Sequence, residues 1–135
     1  MKNRFTVLTS LVLVLLVAVA LAGPSPSEEI LRVGGDVQAP TRVTGEVPAY
    51  PEEARKERAE GVVVVRGVID RDGTVEVVEV VRADRDDFAT SAVAAIERWT
   101  YQPATRHGEP VAVYYDLTVR FRLAKDGEDG AEGNG

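Results

Sequence analysis

The chain has no cysteine, one histidine, one methionine and one tryptophan among its 135 residues. Without cysteine there is no disulfide framework, no thiolate nucleophile, no zinc–cysteine site and no lipidated N-terminal cysteine. The single histidine lies in the turn-like run Arg106-His107-Gly108-Glu109-Pro110 and has no second imidazole to complete a metal site. Positive charge is scarce too, with 16 Lys and Arg against 22 Asp and Glu, a net −6. Lys2 and Arg4 belong to the leading segment; without them 14 bases face 22 acids, a balance of −8. Nucleic-acid binding draws on phosphate neutralisation, and anionic bilayers attract basic surfaces, so neither partner is expected.

Motifs that carry catalysis are missing as well. No Gly-rich phosphate loop follows a strand. Thr90 and Ser91 fall within a helical pattern rather than a nucleophile elbow. Glu52 and Glu53 read as first-turn acids that suit a helix dipole. Asp70, Asp72, Gly73 and Glu79 have the spacing of calcium-loop positions 3, 5, 6 and 12. The first position would be Val68, however, and both flanks read as strands, so the segment is a hairpin. The expectation is a non-enzymatic chain with no cofactor and no metal.

One long hydrophobic run is present, over residues 5–21. It follows Lys2 and Arg4 and ends at Ala20-Leu21-Ala22, which is the build of a cleavable export signal. At about 17 residues it is also at the lower limit for spanning a bilayer, so an uncleaved anchor stays open. Either way residues after Gly23 are expected outside the cytoplasm, in the periplasm or cell envelope, with membrane attachment only through this segment. Residues 23–41 hold three prolines, three glycines and two serines and read as a flexible linker, with a short extended piece near residues 30–33. Residues 125–135 carry no apolar side chain larger than alanine and read as a disordered acidic tail.

The folded unit is expected at 42–124. Pro51 opens a helix over 51–59, and Gly61 stops it. The β-branched runs 62–69 and 74–81 flank Asp70-Arg71-Asp72-Gly73 as a hairpin. Asp86 or Asp87 caps a second helix, on which Phe88, Ala92, Ala95, Ile96 and Trp99 share a face. Pro103 prevents its continuation. From Val111 to Leu123 every odd-numbered residue is apolar, a 13-residue alternation that predicts one long half-buried strand. Helix, hairpin, helix and strand predict an α+β two-layer sandwich: a three-stranded antiparallel sheet with two helices on one face. Gly67 falls at a core-facing position of the first strand, which implies a bulge, a close approach or a local weakness. On the opposite face, Val62, Val64 and Val68 around Arg66 are unusually apolar.

Five short strings, in order, resemble the C-terminal domain of the TonB family. They are Tyr50-Pro51, Glu60-Gly61, Asp72-Gly73-Thr74-Val75, Trp99-Thr100-Tyr101-Gln102-Pro103-Ala104, and the final amphipathic strand. Each has a structural reading: Tyr50, Pro51, Gly61, Gly73, Trp99, Tyr101 and Pro103 specify turns, helix ends and core anchors more than a chemistry. The resemblance implies that an extended segment of an outer-membrane receptor adds as a strand beside the last one. Main-chain hydrogen bonds would supply the affinity. The implied docking margin is Val113, Tyr114, Tyr115, Asp116, Leu117, Thr118 and Val119. This requires a free margin; covering by the linker or by a second copy of the chain is the rival reading. Arg120 and Arg122 either attract an acidic peptide or protect the edge from aggregation.

Two features depart from a complete energy transducer of that family. The apolar run has no histidine for coupling to a proton-driven motor. The 19-residue linker reaches at most roughly 65 Å. A second function therefore stands beside energy-coupled transport: a secreted envelope interaction or assembly domain that uses the same edge to dimerise or to hold a complex.

Overall fold

The computed structural model describes residues 29–124 and 130–134; the expected export signal lies outside them. The elements are β1 (Ile30–Arg32), β2 (Val37–Gln38), β3 (Thr41–Thr44), α1 (Glu52–Lys56), β4 (Gly61–Ile69), β5 (Val75–Ala83), α2 (Asp86–Ile96), β6 (Thr100–Gln102), β7 (Ala104–Arg106), β8 (Glu109–Arg122) and β9 (Gly130–Asn134). The class is α+β, as the sequence predicts. The three-stranded sheet is not: a seven-stranded sheet of order β2-β7-β8-β4-β5, with β1 and β9 also on β8, stands beside a β3-β6 ribbon. At 14 residues, β8 is long enough to take several short partners end to end on one side.

The predicted hairpin and last strand form the centre of this sheet. β4 lies between β5 and β8, antiparallel to both. Its Val63, Val65 and Ile69 are fully buried, which explains the near-continuous β-branched run. The hairpin turn is closed by Gly73 N–H donating to the Asp70 carbonyl at 2.9 Å. Gly73 has φ +85°, and a Cβ there would strike the Tyr101 carbonyl, so two constraints demand glycine. Gly67 answers both the bulge and the close-approach expectation. The β4–β5 register is irregular between Arg66 and Gly67, and a Cβ at Gly67 would sit 3.0 Å from the Glu76 carbonyl.

α2 buries Phe88, Ala92, Ala95 and Ile96. It ends three residues short of Trp99, which follows in a tight turn whose N–H donates to the Ile96 carbonyl at 3.0 Å. Phe88 stacks on Phe121 of β8, with centroids 4.3 Å apart, and Tyr50 stands edge-on to both at 5.7 Å. α1 is only five residues long and draws on its neighbours. The Tyr50 hydroxyl donates to the Ala59 carbonyl, and Arg85 joins Glu57 behind α1 to Asp87 at the start of α2. Ala54 of α1 is fully buried in the same core cluster as Phe88.

Where short strands dock, β1 falls on the extended piece expected near residues 30–33, while the flexible-linker and disordered-tail expectations need correction. The described part of the linker contains β1, β2 and the first residue of β3. Within the tail, residues 130–134 form β9 rather than disordered chain. Neither segment has a strong apolar pattern. Backbone pairing (β1 and β9 to β8, β2 to β7, β3 to β6) and isolated core contacts by Leu31, Val37 and Ala131 take its place, and neither has a local sequence signature.

Candidate functional site

The site is built on β8. β4 pairs along one side, from Gly61 opposite Phe121 to Ile69 opposite Val113. Three segments divide the other margin. β7 folds back on residues 109–111, β1 lies parallel to 112–114, and β9 runs antiparallel to 118–122. Tyr115, Asp116 and Leu117 alone between them have no strand partner on that side among the described residues. The expected open margin is therefore closed at both ends by the chain itself. β1 comes from the linker span, which was the rival reading; β9 comes from the tail, which was not anticipated.

The seven nominated residues split by face. Val113, Leu117 and Val119 point into the core and are fully buried, and half-buried Tyr115 is on the same side. The Tyr115 ring meets Tyr101 edge-on, with centroids 6.4 Å apart. Tyr114, Asp116 and Thr118 occupy the other face. The Arg32 guanidinium of β1 lies 5.9 Å from the Tyr114 ring centroid. Asp116 accepts two hydrogen bonds from Arg66, at 2.9 and 3.1 Å, and Arg66 also reaches Glu79 at 3.0 Å. Those hydrogen bonds, chiefly the pair to Asp116, raise the Arg66 pKa. An arriving strand would thus meet a carboxylate already ion-paired within a cluster that spans three strands.

Around β9 the contacts are more specific. Trp99 donates its indole N–H to the Glu46 carbonyl at 2.8 Å, which fixes the ring. The Arg42 guanidinium lies 4.7 Å from the ring centroid. From there Arg42 donates to the Gly133 carbonyl at 2.7 Å. A Cβ on Gly133 would collide with the Trp99 ring. Ala131 is buried in the main core and stands opposite Phe121, while Glu132 stands opposite Arg120. Arg42, Gly133 and Ala131 were not nominated from sequence. Arg42 reads as an ordinary residue of a linker-to-domain boundary, and the glycine fit depends on a ring 34 positions away.

Beside this assembly is Tyr101, whose buried hydroxyl has no hydrogen-bond partner among the described residues. Burial pushes its pKa up to about 12, against a lowering influence from Arg42, so the group is a neutral donor. The other motif residues are at structural posts. Tyr50 closes α1, and Pro51 opens it at φ −62°. Gly61 leaves room for Asp84 and Phe88, and Pro103 separates β6 from β7.

A separate apolar groove of about 530 Å³ runs between residues 46–51 and α2, lined by Val47, Pro51, Ala94 and Ala95 among others. None of the nominated margin residues lines it. Among the described residues no cluster of acids and histidine could hold a metal, and no helix is long and apolar enough to cross a membrane.

Comparison with curated proteins yields no match. The family described as "Gram-negative bacterial TonB protein C-terminal" matches residues 46–123, more than half of the chain. That span begins at the Glu46 carbonyl that receives the Trp99 indole, includes all five quoted strings and ends at the close of β8. The chain belongs to the TonB C-terminal family.

Proposed function

We propose that this chain is a periplasmic module that captures an extended segment of an outer-membrane receptor as an added strand on β8. In this way it would contribute to energy-coupled transmembrane transport. Family membership supports a role in envelope transport in a Gram-negative cell, and the family's role is not catalytic. The observation that carries the finer reading is the margin itself. β8 pairs without a break with β4 from Val113 to Phe121, yet its other side has only short covers of three, three and five residues, from β7, β1 and β9, with a gap at 115–117. A short strand gives up few hydrogen bonds on leaving, and a visiting strand replaces them. Capture then begins at Tyr115–Asp116–Leu117 and extends by displacing β1 or β9.

The test is a titration of the full chain with an extended receptor peptide, followed by amide hydrogen exchange. Protection should rise at 115–117 on binding. Tyr115→Pro removes a donor on β8 and should weaken binding about tenfold or more, provided exchange in β4 and β5 remains native. Equal affinity of a natively folded Tyr115→Pro variant would remove β8 as the docking strand.

A second reading, assembly without energy transduction, draws on a different observation. β5 is an outer strand of the sheet, and its Val78, Val80 and Val81 are 53%, 42% and 47% exposed. Two register irregularities interrupt its pairing with β4, however, and such bulges commonly protect an edge from association. Sedimentation of the chain alone separates the readings: a stable dimer at micromolar concentration favours assembly.

A further inference from the structure

We infer that the β9 half of the margin is a sequence-selective site that accepts a strand of small residue, acidic residue and glycine in that order. β9 is then the chain's own stand-in for a partner strand of that chemistry. This rests on the strand-capture reading above and adds to it what the captured strand must contain.

The glycine and small-residue requirements come from two contacts, and the acidic one from the strand register and the residues lining the adjoining concavity. The residue at the Gly133 position crosses the Trp99 ring, where any Cβ collides with ring carbons. The ring cannot swing away cheaply, because its N–H is bound to the Glu46 carbonyl and Arg42 lies on its face. Arg42 also reads the backbone there, through a 2.7 Å hydrogen bond to the Gly133 carbonyl. That bond is charge-assisted and would form to any residue's carbonyl, so it fixes where the backbone passes, while the demand for glycine comes from the Trp99 ring. Two residues earlier, Ala131 is 6% exposed within the core cluster that also holds Phe121. A larger side chain there would overpack the cluster. Between them, Glu132 faces the other side, opposite Arg120, where a concavity of about 500 Å³ is lined by Arg42, Val47, Arg120, Ala131, Glu132 and Gly133. Two arginines in one concavity favour an acid on the strand that crosses it.

Such a fit is more than an edge strand needs for protection. A lysine or a proline would blunt the margin with no core contact at all. A glycine over an indole, a carbonyl on a guanidinium and an alanine in the core form instead a recognition site, filled by a segment tethered a few residues downstream of β8. Its tether gives β9 a high effective concentration, so a free partner strand competes only if it makes the same contacts or outlasts β9's excursions.

The experiment uses the full chain and a labelled synthetic peptide of residues 128–135. Gly133→Val in the protein expels β9 by collision with Trp99; loss of exchange protection at 118–122, with β4 and β5 unchanged, verifies this. The variant should bind the peptide at least tenfold more tightly than the wild-type chain, whose site is filled. On the released margin, a peptide with Gly133→Val should bind at least tenfold more weakly, and one with Glu132→Lys at least threefold more weakly. Adding Arg42→Ala should cost a similar factor for the unaltered peptide. Equal binding of all three peptides would overturn the selectivity while leaving strand capture in place. Binding of an extended receptor peptide but not of the 128–135 peptide would overturn it too. Failure of both peptides to bind the released margin would overturn this inference and the strand-capture reading together.

Discussion

At the scale of single residues, glycine and tryptophan set the tightest constraints. Gly73 combines φ +85° with a carbonyl packed where a Cβ would stand. Gly73→Ala therefore incurs both a left-handed backbone cost, about 1–2 kcal/mol, and a forced shift of β6. A loss above about 2 kcal/mol in denaturant unfolding is the expected outcome. Trp99→Ala should cost about 3–5 kcal/mol, since the ring is 2% exposed and its loss leaves a cavity. The same change should also free β9, seen as lost exchange protection at 118–122. Acid should weaken the fold through carboxylates held below their ordinary value of 3.8. Asp84 is lowered chiefly by the Val62 N–H and then by Arg82, Asp87 chiefly by Arg85, and Asp72 by the Thr74 hydroxyl and N–H. A depressed carboxylate contributes fully above its unfolded value and loses that contribution as pH falls through the folded one. The denaturation midpoint should stay level from about pH 7 to 5 and fall below about pH 4. Asp84→Asn should make that fall shallower. An unaltered slope would show that Asp84 takes no part in it.

At the scale of elements, the difference between β8 and its partners governs the site. β8 has a 13-residue alternation that any period-two reading finds, and its core face is as that pattern requires. The hairpin was legible in its β-branched runs and turn, α2 and the buried position of Trp99 in apolar spacing, and α1 in its opening proline, although it is shorter than the expected 51–59. β1 and β9 were not. Ile30-Leu31-Arg32 sits among glycines and prolines, and Gly130-Ala131-Glu132-Gly133-Asn134 has nothing to mark a strand. Both are placed by the unpaired backbone of β8, and β9 also by the Trp99 ring, against which only glycine fits. The nominated margin was thus located by alternation and resemblance. Its occupancy depends on long-range fit that alternation does not encode. If β9 is a weakly held cover, exchange at 118–122 should be faster than at the β4-facing amides of β8 by about tenfold or more, because a five-residue edge strand opens locally while the central pairing opens only with the whole fold.

At the scale of the whole molecule, the question is where the domain is held. The expected leading signal predicts that the exported protein begins at Gly23, which N-terminal sequencing of the envelope fraction checks. Recovery of Met1 in the membrane fraction would show an anchored chain instead. The two cases differ in reach. A cleaved domain diffuses to its partner, whereas an anchored one is limited to the roughly 65 Å that residues 23–41 can span when fully extended. Docking of β1 shortens that reach further, since residues 30–32 are then fastened to the sheet.

That fastening has a directional consequence. Ile30–Arg32 runs the same way as β8, Gly130–Asn134 runs against it, and both finish facing the three-residue interval between them. The host strand thus has two berths of opposite polarity. In an anchored chain, a captured strand aligned with β8 would inherit the berth of the leading segment and slacken the tether. One aligned against it inherits the berth of the trailing segment and leaves the tether taut. The orientation of the bound chain would decide how far the module can travel with its cargo.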